Sequence, residues 1–121
     1  LDAIKKGIIK SAHDLSDGGL SVNICESLIY ANRGLGVELN IDRKLRNDEL
    51  LFGECQSVIV VSLEESALYE LVLLAKKLDV HTQTIGRVNS SNSLVINDLI
   101  KIDRLKIEDA YLNSLEKIVN K

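Results

Sequence analysis

Apolar positions recur along this chain in two rhythms. Leu20, Ile24, Leu28 and Ala31 fall three and four residues apart, with Val22 and Ile29 widening the stripe. That spacing predicts a helix capped by Ser16 or Asp17, running through Asn32 and ended by Arg33-Gly34. Leu68, Leu71, Val72, Ala75 and Leu78 predict a second helix over 64–78, with Glu64 and Glu65 at its positive end. Ala110, Leu112, Leu115 and Val119 predict a third over 109–119. The other rhythm is extended. Gly36 to Ile41 alternates apolar and polar, as a half-buried strand does. Ile8 to Ala12 reads as a short buried strand, and Ser57 to Leu63 (SVIVVSL) as a β-branched run suited to a sheet centre. Val80 to Val88 and Ser93 to Asn97 read as strands around a tight turn at 89–92, and Ile100 to Ile102 extends the second.

Between these elements, Leu1 to Gly7 reads as the tail of a helix stopped by Gly7. Asp42 to Asp48 reads as a solvated loop, and Glu49 to Gly53 as a helical turn closed by glycine. The order β-α-β-(α)-β-α-β-β-α places the chain in the α/β class, an α+β sandwich with helices packed on a mixed β-sheet. Its 121 residues make one domain, 1–121, large enough for its own core.

Composition narrows the function classes. Hydrophobic residues are 45% and charged residues 27%, which excludes disorder. A net charge of −3 argues against nucleic acid or an anionic membrane as the main partner. No apolar run reaches the ~20 residues of a membrane span. Met and Pro are both absent, and a chain opening at Leu1 suits processing or a piece of a longer protein. With four aromatic residues, the core must come from Leu, Ile and Val. Cys25 and Cys55 are too few for a disulfide scaffold, so reduced thiols and a cytoplasmic setting are expected.

Two segments concentrate reactive side chains. His13, Asp14, Ser16, Asp17, Gly18 and Gly19 form a polar turn between a strand and a helix start, where backbone amides favour anions. Asp14 and Asp17 have the oxygen ligands magnesium takes, and His13 can donate to a phosphate. The same residues also suit a plain capped turn. The second segment, Gly53, Glu54, Cys55 and Gln56, precedes the strongest strand, where ligands of α/β folds commonly bind. It equally reads as a polar loop with Cys55 as a small buried hydrophobe, and a catalytic thiol there would need a base beside it. Cys25 reads as core, His81 as a surface or packing residue, and Arg87 as a solvated charge.

The two segments in order resemble one family. HDLSDGGLS, GLGVEL, LFGECQSVIVVS, IGRV and LVIN are similar to the carboxyl-terminal domain of the synthetase subunit of phosphoribosylformylglycinamidine synthase. The resemblance runs from about Ser11 to Val119. It reaches a wider group of ATP-dependent enzymes related to aminoimidazole ribonucleotide synthetase, which includes selenophosphate synthetase and thiamin-monophosphate kinase.

The resemblance implies the following. An amino-terminal domain carries most ATP and magnesium ligands. The pair of domains is duplicated, and this chain matches the fourth. The whole enzyme activates the amide oxygen of formylglycinamide ribonucleotide with ATP, and ammonia from a separate glutaminase subunit gives the amidine. A small accessory subunit completes the complex. Gly53 to Gln56 match a loop that lines the substrate site in the first half, and His13 to Gly19 match a glycine turn facing the interdomain cleft. No residue here is implied to be catalytic, no metal or cofactor is expected on this domain alone, and neither nucleic acid nor membrane is an expected partner. Cys55 stands where the family usually has Ser, Val58 where it commonly has Arg, and a Trp usual near Tyr111 is missing. Other readings are another member of the same group, or a non-catalytic module that packs against neighbouring domains.

Overall fold

The computed structural model describes residues 1–42 and 44–120, so Arg43 of the 42–48 loop lies outside the described residues. The elements run α1 (Asp2–Lys5), β1 (Ile9–Asp14), α2 (Gly19–Tyr30), β2 (Gly36–Leu39), α3 (Asn47–Phe52), β3 (Ile59–Leu63), a 3-10 turn (Glu65–Ala67), α4 (Leu68–Lys77), β4 (Gly86–Asn89), β5 (Ser93–Ile96), β6 (Ile100–Asp103) and α5 (Arg104–Val119). Helices packed with strands of mixed direction match the expected α+β class. The strands, however, divide into two sheets. One is a four-stranded sheet in the order β4-β2-β5-β6, with β2 and β5 parallel and the outer pairs antiparallel. The other is a two-stranded antiparallel ribbon of β1 and β3.

The core lies between α2 and the four-stranded sheet. Leu28, Leu94 and Ile96 are its most enclosed side chains, joined by Leu20, Ile24, Leu39, Ile41, Leu50, Leu51 and Ile107. The predicted stripe of α2 therefore buries three of its four positions, and α3 closes over it through Leu50 and Leu51. Asn97 prolongs the parallel pair beyond Ile96. Its side-chain amide accepts from Ile41 N (2.7 Å) and donates to Ile41 O (3.0 Å), as a backbone group would.

Arg104 locks α5 to α2. Only 3% exposed, it donates to Glu108 (2.8 Å) and to the carbonyls of Ala31 (2.8 Å) and Asn32 (2.6 Å). Those carbonyls end α2, where free acceptors and the negative end of the helix dipole both favour a guanidinium.

Several expectations are corrected. Ser57 to Leu63 does not form a sheet centre: β3 starts at Ile59 and pairs with β1 alone. A β-branched run fits any pleated surface, and the run itself does not specify how many strands flank it. β1 is likewise largely exposed, with Ile8, just before it, buried. It extends through Asp14, so His13 and Asp14 are strand residues rather than part of the turn.

Neither Ser16 nor Asp17 caps α2. The N-cap is Gly18 at φ 82°, followed by Gly19 at φ 70°. The chain turns through two left-handed residues after Asp17, which leaves both candidate caps a step too early. In α4 only Ala75 is buried, whereas Val72 and Leu78 are exposed. The predicted strand over 80–88 shrinks to Gly86–Asn89. Asp79 at φ 56° returns the Val80 amide to Ala75 O (2.8 Å), and the backbone joins the β2 strand only from Ile85, which accepts from Asn40 N (2.8 Å). α5 begins at Arg104, five residues earlier than its apolar stripe suggests, because the Asp103 carboxylate accepts from Leu105 N (2.8 Å).

Candidate functional site

The two polar segments meet in the fold although 36 residues separate their contact points. Gly18 N donates to Glu54 Oε1 at 3.1 Å. Gly19 lies against the end of α3: a Cβ there would sit 2.5 Å from the Phe52 carbonyl carbon, and φ is already +70°. Only glycine fits that approach. Leu15 N donates to Val58 O (2.8 Å), which pins the other side of the turn to the segment after Gln56. The loop following α3 and the turn preceding α2 thus form one surface. Asp14, Ser16, Asp17, Glu54, Cys55 and Gln56 are exposed on it, and Gly18 and Gly53 are half-buried. The expected burial of Cys55 is not found: its thiol is exposed.

His13 is half-buried within a polar contact set. Its Nε2 lies 2.8 Å from Glu26 Oε2, and its Nδ1 lies 3.0 Å from Asp14 O. Glu26 also accepts from the Tyr111 hydroxyl at 3.3 Å. The nearby Glu26 charge, and then Tyr30, hold the Tyr111 phenol above its usual pKa. Asn23, almost fully buried, donates to the carbonyls of Asp14 (2.8 Å) and His13 (3.3 Å), fastening the end of β1 to α2. Burial, followed by the Glu26 charge, raises the Cys25 thiol pKa. Asn23, Glu26 and Tyr111 were not among the sequence candidates. Glu26 and Asn23 are three residues apart on α2, and only the approach of β1 turns that spacing into a pair of contacts.

The Glu54 carboxylate on the amide at the α2 N-cap disfavours a phosphate at that point of the surface. Among the described residues no three His, Cys, Asp or Glu side chains are grouped to hold a metal. An open groove of about 730 Å³ lined by Leu28, Val37, Leu39, Val60, Leu68 and Ile85 contains no residue of either polar segment. It separates the ribbon from the four-stranded sheet and from the 3-10 turn and α4.

Residues 1–98 match the family described as AIR synthase related protein, C-terminal domain, and the chain belongs to it.

Relatives at the sequence level are phosphoribosylformylglycinamidine synthase subunits named PurL. The protein from Bartonella henselae is 36% identical over 110 residues, 91% of this chain and 15% of its own length. That from Prochlorococcus marinus strain NATL1A is 32% identical over 99% of this chain and 16% of its own. That from Methanothrix thermoacetophila is 27% identical over 97% and 16%. The chain thus spans about a sixth of the curated relatives it matches.

Among solved structures, the PurLQS structure from Thermotoga maritima aligns with a TM-score of 0.78 at 18% identity, covering 89% of this chain and 20% of that one. T. maritima PurL complexed with FGAR aligns at 0.76 and 18%, covering 88% and 19%. At that identity the likeness establishes the fold.

Proposed function

We propose that this chain serves as the carboxyl-terminal domain of a phosphoribosylformylglycinamidine synthase, where the Gly18–Glu54 surface forms one wall of an interdomain cleft. The observation that carries the reading is that contact. It joins the two segments, HDLSDGGLS and LFGECQ, on which the family resemblance is strongest. His13, Asp14, Ser16, Asp17, Gly18, Gly19, Gly53, Glu54, Cys55 and Gln56 are the residues assigned to that wall. Their role is to shape and orient, since none is set up as a nucleophile or base for a turnover step.

In the whole enzyme ATP would supply the phosphoryl group that activates the formylglycinamide oxygen, and domains outside this chain would hold ATP and its magnesium. T. maritima PurL has been solved with ATP and with AMPPCP, in support of nucleotide binding by such enzymes. The proposed setting is the cytoplasm, with ammonia delivered by a glutaminase subunit and a small accessory subunit in the complex. No helix among the described residues is long and apolar enough to cross a membrane. The chain by itself is proposed to be inactive.

A second reading draws on α5. Leu112, Leu115, Ile118 and Val119 remain 61–71% exposed, although their spacing is that of a buried stripe. An apolar stripe of this kind favours a domain whose main task is to pack against its neighbours. The two readings separate in the full-length enzyme. Under the first, Glu54→Ala and Asp17→Ala lower turnover about tenfold or more with an unchanged thermal midpoint. If both lower only the midpoint, the domain is architectural.

A further inference from the structure

A strand at the edge of a sheet presents a row of backbone N–H and C=O groups that pair with any strand brought alongside, unless charges, bulges or a cover guard it. Four described strands lie at an edge. β1 carries Lys10, His13 and Asp14 and a register shift between Ile9 and Ser11, β4 carries Arg87, and β6 carries Lys101 and Asp103. β3 (Ile-Val-Val-Ser-Leu) carries no charge, and its Ile59 is 62% exposed.

The free groups of β3 have a defined order. Leu15 N donates to Val58 O at 2.8 Å, and backbone groups alternate in direction along a strand. Val60 and Ser62, in register with His13 and Ser11, therefore bond toward β1. Ile59, Val61 and Leu63 turn their N–H and C=O outward. That edge borders the open groove, which Val60, Val61, Ser62 and Leu63 line without a skip. Successive side chains of a strand point to opposite faces, so a groove lined this way meets β3 along its edge.

We propose that the β3 edge is a self-association surface, on which a second copy of this chain pairs antiparallel about a twofold axis at Val61. Val61 is the middle of Ile59–Leu63, so this axis sets Ile59 opposite Leu63 of the second copy and Val61 opposite itself. All three positions have outward groups, which matches donors to acceptors on both sides. Charge agrees with the same register. Glu64 and Glu65 fall opposite Val58 and Ser57 of the second copy, so no like charges meet. A closed pair of this kind buries a small area, and the association is weak. It is independent of the proposed enzyme, since it uses no residue assigned to the cleft wall.

Sedimentation equilibrium of the 121-residue chain tests it. The mass should rise from one copy toward two between about 10 µM and 1 mM. Ile59→Lys puts a charge on the edge and should raise the dissociation constant at least about tenfold, whereas Leu115→Lys, on the exposed stripe of α5, leaves it unchanged. A chain that stays monomeric at about 1 mM overturns the proposal and leaves the edge to an extended segment of another protein. Association lost in Leu115→Lys and kept in Ile59→Lys overturns it in favour of pairing through α5. The mass of the unmutated chain decides the first point whether or not a variant folds.

Cross-linking reads the register. In a Cys25→Ala, Cys55→Ser background, Val61→Cys places two thiols directly opposite each other, within disulfide reach, while Leu63→Cys leaves them about 13 Å apart along the strands. Under a mild oxidant Val61→Cys should give the linked dimer at least about tenfold faster. Equal rates, in variants that keep the native far-UV circular dichroism, overturn the proposal. Neither experiment reads turnover, so its failure is distinct from failure of the proposed enzyme.

Discussion

The two sheets are built from similar residues and end in different states. β5 (Ser-Leu-Val-Ile) and β3 (Ile-Val-Val-Ser-Leu) each hold one serine among otherwise apolar residues, and β3 is the richer in β-branched ones. In β5, Leu94 and Ile96 are completely enclosed, whereas no residue of β3 is buried and Ile59 is 62% exposed. β5 has a strand on each side and α2 packed across it. β3 has one neighbour and borders an open groove. Burial here follows the number of layers around a strand more closely than the strand's own hydrophobicity.

The sharpest way to break this comparison is to truncate one residue in each sheet. Leu94→Ala should cost about 3 kcal/mol, the range for an enclosed leucine, and Val61→Ala less than about 1 kcal/mol. Urea denaturation of both variants checks it. Similar losses would mean that the ribbon is covered as well as the sheet.

Smaller effects should come from the polar contacts that finish each sheet. Asn97→Ala removes a side chain that both donates to and accepts from Ile41, and should cost about 1–2 kcal/mol. Ser62→Ala removes a hydroxyl pair with Ser11 on the exposed ribbon and should stay within about 0.5 kcal/mol. Thermal midpoints ranked in that order would sharpen the distinction, and a reversed order would remove it.

The two cysteines extend the comparison to chemistry. Cys25 lies half-buried on α2 with its pKa raised by burial and then by Glu26, while Cys55 is exposed. A thiol-specific reagent at about pH 8 should modify Cys55 at least tenfold faster. The sign of the pH effect follows. The folded state favours the Cys25 thiol over the thiolate, so stability is full below the unfolded value of 9.0 and declines as pH rises through it. A stability profile that improves above pH 9 in the native chain, relative to Cys25→Ala, would contradict this assignment.

Much of the fold was legible residue by residue. The α2 stripe and the alternation of β2 follow from periods that one face of an element imposes on itself, whereas Ile100 to Ile102, expected to extend the 93–97 strand, returns antiparallel as β6, and β4 and β5 flank β2 instead of pairing around their turn. The candidate turn and loop were legible as polar, glycine-bearing breaks. Their meeting was not, because Gly18 and Glu54 are brought together by α3 folding over Leu20 and Ile24 rather than by anything local. The same holds for Arg104. Only the arrival of α2 brings the carbonyls of Ile29, Ala31 and Asn32 that justify burying it.

Sequence alone therefore determined the class of this protein, most of its helices and strands though not all of their bounds, and the two segments that carry its family likeness. These depend on local periodicity, turn chemistry and residue type. Tertiary structure decided that the described strands form two sheets, that α4 and α5 keep apolar residues in solvent, and that His13 meets Glu26, which also meets Tyr111. Each of those outcomes depends on which surfaces meet across long stretches of chain, and the free energy of meeting belongs to both surfaces rather than to either segment.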